Sequence, residues 1–176
     1  MLSKKKILVF TATYNEKENI KKLIKLIIRY CPYVDILIVD DKSPDNTAEE
    51  VHSLKKEFKN ILLIERESKL GLDTAHKLAY NFALDKEYDY LITMDADLSH
   101  DPSELSNFIN NLEIYPFVIG SRYISGGKCL MKKSRLLMSK YGNMLIKAVL
   151  GINCNEFTTS YRGFNIKKLD KFNLNM

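Results

Sequence analysis

The sequence has no apolar run near the roughly 20 residues that a membrane-spanning helix needs. Its opening, MLSKKKILVF, puts lysines ahead of a short apolar run that soon turns polar. KKILVF therefore reads as a first strand and not as a signal peptide. Cysteines number only 3, Cys31, Cys129 and Cys154, an odd count without metal-ligand spacing. That argues against a disulfide framework and for thiols in a reducing compartment. No internal repeat, low-complexity tract or Pro/Gly/Ser-rich linker interrupts the chain. Its 176 residues, 45% hydrophobic and 28% charged, read as one globular domain. Acidic residues are missing from Ile114 to Asn155, where Arg122, Lys128, Lys132, Lys133, Arg135, Lys140 and Lys147 all fall. This half of the chain should attract anions, although a merely solvated basic face gives the same pattern.

What is present is an alternation of apolar runs with helical patterns. KKILVFTA reads as a strand, and NEKENIKKLIKLIIRY as a helix with Ile20, Leu23, Ile24 and Ile27 on one face. Asn15 and Glu18 have the spacing of a capping box at its start. VDILIVDD is a second strand, after which Ser43-Pro44 is expected to open a helix carrying Ala48, Val51, Leu54 and Phe58. NILLIER, YDYLITMD and FVIGSRY are further strands, while DTAHKLAYNFAL and DPSELSNFINNLE are helices. Near-continuous apolar strands alternating with helices predict an α/β fold, a mostly parallel sheet covered on both faces.

In such sheets ligands collect outside the carboxyl ends of the strands. The candidate segments are Thr13 to Glu16, Asp40 and Asp41, Asp95 to Ser99, and Ser121 to Tyr123. Asp95 and Asp97 flank one residue, so their side chains converge if the strand conformation continues through Ala96. A hard divalent cation, Mg²⁺ or Mn²⁺, would relieve their repulsion and accept phosphate oxygens in its remaining positions. Alternatively Asp97 or Ser99 caps the helix that follows, as Asp101-Pro102 could. His52, His76 and His100 read as solvent-facing bystanders.

Six segments in order, TYNEKENI, VDDKSPDNT, GLDTAHKLAY, MDADLSHDP, GSRYISGG and SRLLMSKYGN, resemble the family 2 glycosyltransferases, specifically their dolichyl-phosphate mannose synthase branch. The resemblance runs from about Ile7 to Asn165. It implies the GT-A nucleotide-sugar-binding fold, a Rossmann-like sheet whose D-x-D motif holds Mg²⁺ or Mn²⁺ on the donor diphosphate. The implied reaction moves a hexose, usually mannose from GDP-mannose, to a polyprenyl or dolichyl phosphate with inversion at the anomeric carbon.

Carried over by position, the resemblance assigns the donor nucleotide to Ala12, Tyr14 and Glu16 after the first strand and to Val39 and Asp41 after the second. It assigns donor and metal to Asp95, Ala96 and Asp97, with Ser99 as a third ligand. Arg122 would lie between donor diphosphate and acceptor phosphate, and Arg135 and Ser139 would hold the acceptor phosphate. Asp95, Asp97 and Arg122 would thus be the catalytic groups. Arginine suits phosphate because its planar fork pairs bidentately with two oxygens. Tyr14 could stack on a base or ribose, or simply pack. A phosphate acceptor already carries its charge at neutral pH, so no general base is required.

The implied partners are a nucleotide sugar, a polyprenyl phosphate and a membrane surface, with no nucleic acid; a homodimer or a membrane-anchored partner subunit is left open. KCLMKKSRLLMSKYGNMLIKAVLG interleaves apolar residues with lysine and arginine, as in a helix lying on an anionic membrane. The expected location is peripheral, at the cytoplasmic face. Leu137, Tyr141, Met144, Leu145 and Ala148 could instead face the protein core. The chain departs from the family pattern at Ala12, where proline is usual, and at Glu156 and Thr159 in NEFTTSYRGFN, where aspartate and glycine are usual. Family members also continue well past KKLDKFNLNM, so a single domain shortened at its C-terminus is expected, either a fragment or a minimal form whose uncovered edge favours dimerisation or poor stability. Transfer to a saccharide or protein hydroxyl, a non-catalytic nucleotide-sugar-binding domain and a plain α/β regulatory module are the rival readings.

Overall fold

The structure is a computed structural model that describes residues 5–123, 133–152, 154 and 156–169. The sequence begins β1 (Ile7–Thr13), α1 (Lys17–Tyr30), β2 (Asp35–Asp40), α2 (Thr47–Glu57), β3 (Ile61–Glu65) and α3 (Leu72–Asp85). It continues with β4 (Tyr90–Thr93), α4 (Leu105–Ile114), β5 (Phe117–Ile119), α5 (Lys133–Leu150) and β6 (Arg162–Asn165). One sheet holds all the strands in the order β3-β2-β1-β4-β6-β5. Strands β1 to β4 pair in parallel, and β6 runs antiparallel to both β4 and β5. The mostly parallel α/β sheet is as the alternation predicts. Strand β6 is the addition, lying between β4 and β5.

Alternation along β1 explains the two cores. Val9 points to one face, with Ile20, Leu23, Ile24 and Ile27 of α1 and with Phe108 and Leu112 of α4. Leu8 and Phe10 point to the other, against Ala75, Ala79 and Ala83 of α3. The alanines let α3 lie close to the sheet.

Two helix starts differ from the sequence reading. Asn15 is not a cap; it sits in the left-handed region at φ 61°. The entry to α1 is held from across the sheet instead: Glu16 N–H donates to Thr47 Oγ1 at 3.0 Å and Lys17 N–H to Asp45 Oδ2 at 3.1 Å. Helix α2 begins at Thr47 rather than Ser43-Pro44, because Ser43 is drawn into a turn by Asp40. Ser43 donates to that carboxylate through its N–H at 2.8 Å and its hydroxyl at 2.6 Å.

Helix α5 turns its apolar side outward. Leu137, Tyr141, Met144, Leu145 and Ala148 are exposed rather than core-facing, and Met138 and Val149 reach 76% and 75% exposure. Among its described side chains only Asn143 is buried.

Gly163 in β6 lies beneath α4 so closely that an added Cβ would stand 3.0 Å from both Leu112 and Phe108. Replacing it with valine overpacks this contact. Gly163→Val should cost about 1–3 kcal/mol, read from the urea unfolding midpoint, with Gly163→Ala losing less.

Candidate active site

Strand order reverses between β1 and β4, and the carboxyl ends of β1, β2 and β4 bring three of the four candidate segments together. Four left-handed non-glycine residues, Asn15, Lys42, Asn46 and Leu98, lie in the loops at this end. Backbone in sparsely populated regions clusters where geometry is constrained by function.

On the β1/β2 side the acidic residues are satisfied from within. Asp40 accepts from Thr13 Oγ1 at 2.7 Å as well as from Ser43. Asp41, expected to contact nucleotide, is buried and paired with Arg66 through the guanidinium Nε and Nη2. Its Oδ2 accepts from Leu70 N–H at 3.2 Å. Arg66 goes on to Thr74 Oγ1 at 2.6 Å and the Gly71 carbonyl at 3.1 Å, fixing the loop that enters α3. Val39, assigned to the nucleotide by resemblance, is fully buried in the core. Ala12 is half-buried against the same core. Tyr14 is exposed, with Lys69 Nζ 3.8 Å from its ring centroid. Glu16 is half-buried and accepts from Asn19 Nδ2 at 2.9 Å.

On the β4 side the strand ends at Thr93 and the chain turns at Ala96 and Asp97. The extended conformation therefore does not carry through Ala96, whose methyl enters the core. Asp97 Oδ1 accepts from Ser99 N–H at 2.9 Å, while Asp101 caps the short 3-10 turn Pro102–Glu104. Asp97 and Ser99 remain exposed. Asp95 accepts from Ser160 Oγ at 2.5 Å through Oδ1, and its side chain is 37% accessible.

His100 is no bystander. Asp95 N–H donates to its Nδ1 at 2.9 Å, so the ring carries its proton on Nε2, 3.2 Å from Thr159 Oγ1 and 3.6 Å from Asp95 Oδ2. Its ring stacks on Tyr161 with centroids 4.8 Å apart. Burial pushes His100 below its ordinary pKa, against the pull of Asp95 and Asp97. His76 is likewise turned inward, edge-on to Phe10 at 5.1 Å, and burial lowers its pKa. His52 is exposed and pairs with Glu65.

Arg122 follows β5. Its Nε donates to Glu156 Oε2 at 2.9 Å and its Nη2 to Oε1 at 3.0 Å, a bidentate pair. Nη2 also reaches Thr158 Oγ1 at 3.0 Å and Ser139 Oγ at 3.5 Å. The structure thus joins Arg122 to Ser139; the side chain of Arg135 lies outside the described residues. Burial opposes ionisation of Glu156, yet hydrogen bonds from Arg122 and Thr158 outweigh it and hold the carboxyl below the usual range. Arg66, His100, Thr159 and Ser160 are site residues that sequence reading missed. Only the resemblance of NEFTTSYRGFN to a family segment pointed toward two of them.

The oxygens of Asp95, Asp97 and Ser99 suit a hard divalent cation. Among the described residues no group of three or more His, Cys, Asp or Glu could hold a metal alone. A pair of accessible carboxylates fits an ion such as Mg²⁺, which takes one or two protein carboxylates and completes its shell with phosphate oxygens and water. The Asp41–Arg66 pair, by contrast, is closed to solvent. Arg66→Met leaves the Asp41 carboxylate buried without its cation and should cost about 3–5 kcal/mol in urea unfolding. Adding Asp41→Asn should restore part of that loss.

Comparison with known proteins follows the same outline. The chain is 35% identical over 170 residues to polyprenol monophosphomannose synthase of Mycolicibacterium smegmatis, a match covering 95% of this chain and 64% of that protein. It is 32% identical to undecaprenyl-phosphate mannosyltransferase of Micrococcus luteus, covering 96% of this chain and 70% of that protein. The chain therefore spans about two thirds of the length of these relatives. In fold it is similar to the mannosyltransferase PcManGT of Pyrobaculum calidifontis, solved with GDP-Man and Mn²⁺, at a TM-score of 0.66 and 16% identity over 99% of this chain and 49% of that one. Glucosyl-3-phosphoglycerate synthase of Mycobacterium tuberculosis gives a TM-score of 0.68 at 16% identity, covering 94% and 58%. The family described as glycosyl transferase family 2 matches residues 8–172, from the start of the sheet to past its last strand, and the chain belongs to that family.

Proposed function

We propose that this chain forms the donor- and acceptor-phosphate site of an inverting transferase that moves mannose from GDP-mannose to a polyprenyl phosphate. The supporting observation is that one short segment, Glu156 to Ser160, holds both the D-x-D carboxylate of Asp95 and the guanidinium of Arg122. Tyr14 offers an exposed ring to the base or ribose, and Glu16 a carboxylate to hydroxyl donors. Asp95 and Asp97, with Ser99, would hold Mg²⁺ or Mn²⁺ through their accessible oxygens. When bound, that ion neutralises the donor diphosphate. Arg122 faces the two anionic partners, and Ser139, with Arg135 one helical turn before it, meets the acceptor phosphate. An acceptor phosphate oxygen forms the new bond to the anomeric carbon as the bond to the diphosphate breaks, and GDP leaves. The attacking oxygen brings no proton to remove, so the demand on the protein is electrostatic.

The acceptor is a lipid, and α5 carries both Ser139 and an exposed apolar surface. We assign this surface to an anionic membrane: Leu137, Met138, Tyr141, Met144, Leu145 and Val149 supply the apolar area, with Lys140 and Lys147 alongside. Among the described residues no helix is long and apolar enough to cross a membrane.

Radiolabelled transfer from GDP-mannose to polyprenyl phosphate tests the reaction. Wild-type protein should transfer label in the presence of Mn²⁺. Asp97→Ala should lose ~10²-fold or more in rate and should abolish the metal-dependent thermal shift with GDP. A shift that survives Asp97→Ala sinks the metal assignment, and nucleotide binding without transfer supports a non-catalytic domain. In co-sedimentation, anionic vesicles should pellet the protein at low salt. Met138→Glu with Leu145→Glu should leave it in the supernatant; a wild type that never pellets would overturn the membrane reading.

A further inference from the structure

We propose that Glu156 is a positioning residue for the transfer, acting through Arg122; this rests on the function proposed above. Its carboxylate is wholly buried, whereas the Arg122 side chain is 25% accessible, so a ligand reaching this pair meets only the cation. Five hydrogen bonds converge on the two oxygens, from Arg122 Nε and Nη2, Asn143 Nδ2, and the N–H and Oγ1 of Thr158. Four of the five donors are N–H groups, which cannot reverse their role. The pocket is therefore built for an acceptor at both positions, which a carboxylate supplies and an amide does not.

The same carboxylate ties three elements together. Arg122 follows β5, Asn143 is a buried residue of α5, and Thr158 belongs to the segment that precedes β6. Asn143 Oδ1 accepts in turn from Phe157 N–H at 2.7 Å, and Asn143 Nδ2 also donates to the Ser139 carbonyl at 3.0 Å. Ser139 thus hangs on the network that orients Arg122. Bidentate pairing fixes the plane of the guanidinium, which a single contact would leave free to rotate. Glutamate at this position spans the distance to both Arg122 nitrogens; an aspartate would stand one methylene further back.

Glu156→Gln puts an amide nitrogen against Arg122 Nε in one flip and against Arg122 Nη2, Asn143 and Thr158 N–H in the other. In the transfer assay its kcat should fall ~10²-fold while the donor KM stays constant, the effect of a misplaced group rather than of lost binding. Glu156→Asp keeps the charge and should lie between it and the wild type. In an Arg122→Ala background, Glu156→Gln should add no further loss of kcat. Losses that multiply in the double variant would overturn the proposal, as would a Glu156→Gln enzyme with wild-type kcat. A wild type that transfers nothing refutes the functional reading alone, and the positioning claim is then decided by nitrogen-15 NMR. The Arg122 Nε–H signal should be resolved and slowly exchanging in the wild type and lost in Glu156→Gln; its persistence would overturn the claim. If Glu156→Gln does not fold, as judged by its thermal midpoint, Glu156→Asp carries both readouts, and an unshifted Arg122 signal with unchanged kcat refutes the assignment.

Discussion

Strand β6 runs against its neighbours, and the site depends on that reversal. In a sheet of parallel strands the loops entering each strand lie at the amino-terminal edge, away from the ligand end. An antiparallel strand between β4 and β5 inverts this, so the segment entering β6 arrives beside the carboxyl end of β4. Thr93 Oγ1 donates to the Ser160 carbonyl at 2.5 Å, locking the arrival at the point where β4 ends. From there Ser160 reaches Asp95, Thr159 reaches His100 and Glu156 reaches Arg122. A parallel strand in that place would supply none of these contacts. Gly163 permits α4 to close over the strand, which makes a residue without a side chain part of how the site is held.

The charges around the site divide into two kinds. Asp40 and Asp41 are almost inaccessible, and their oxygens are committed to hydroxyls, backbone N–H groups and Arg66. They shape loops. Asp95 and Asp97 keep accessible oxygen after their internal bonds are made, which is what the proposed cation site requires. The same division holds among cations: Arg66 is closed in, whereas Arg122 is fixed along one edge by a buried carboxylate and still reaches the surface. In the proposed transfer, fixed dipoles and charges of this sort would need no reorganisation as charge shifts between two phosphates, which is what makes preorganisation effective.

The sequence made the repeating elements legible because burial on two faces writes apolar runs into β1, β2 and β4 directly. The D-x-D pair and Arg122 were legible as residue types at strand ends. Partner choice was not. Asp41 and Arg66 are 25 positions apart, and Arg122 and Glu156 are 34 apart, so no local pattern joins them. The sequence around Asn15 satisfied a capping rule, yet Thr47 and Asp45 from the next loop took over that task, because tertiary contacts override local propensity. Strand β6 escaped notice for a similar reason: RGFN is short, carries a glycine and an arginine, and gains its strand conformation only from β4 and β5. Glu156 stood out in the sequence as a departure from aspartate, and the extra methylene turns out to be reach toward Arg122.

Helix α5 presents opposite preferences on its two sides. Its one buried described side chain is polar, Asn143, which serves the Glu156 network, while Leu137, Met138, Tyr141, Met144, Leu145 and Val149 face outward. A helix that only stabilised the core would reverse that pattern. Large apolar patches exposed among the described residues mark interaction surfaces, which is the basis of the membrane assignment proposed above. On the proposed function, placing that surface on the helix that also carries Ser139 joins two requirements of one acceptor. The acceptor's lipid chain would need an apolar phase and its phosphate cations and hydroxyls, and α5 carries an exposed apolar face together with Ser139, which lies 3.5 Å from Arg122 Nη2.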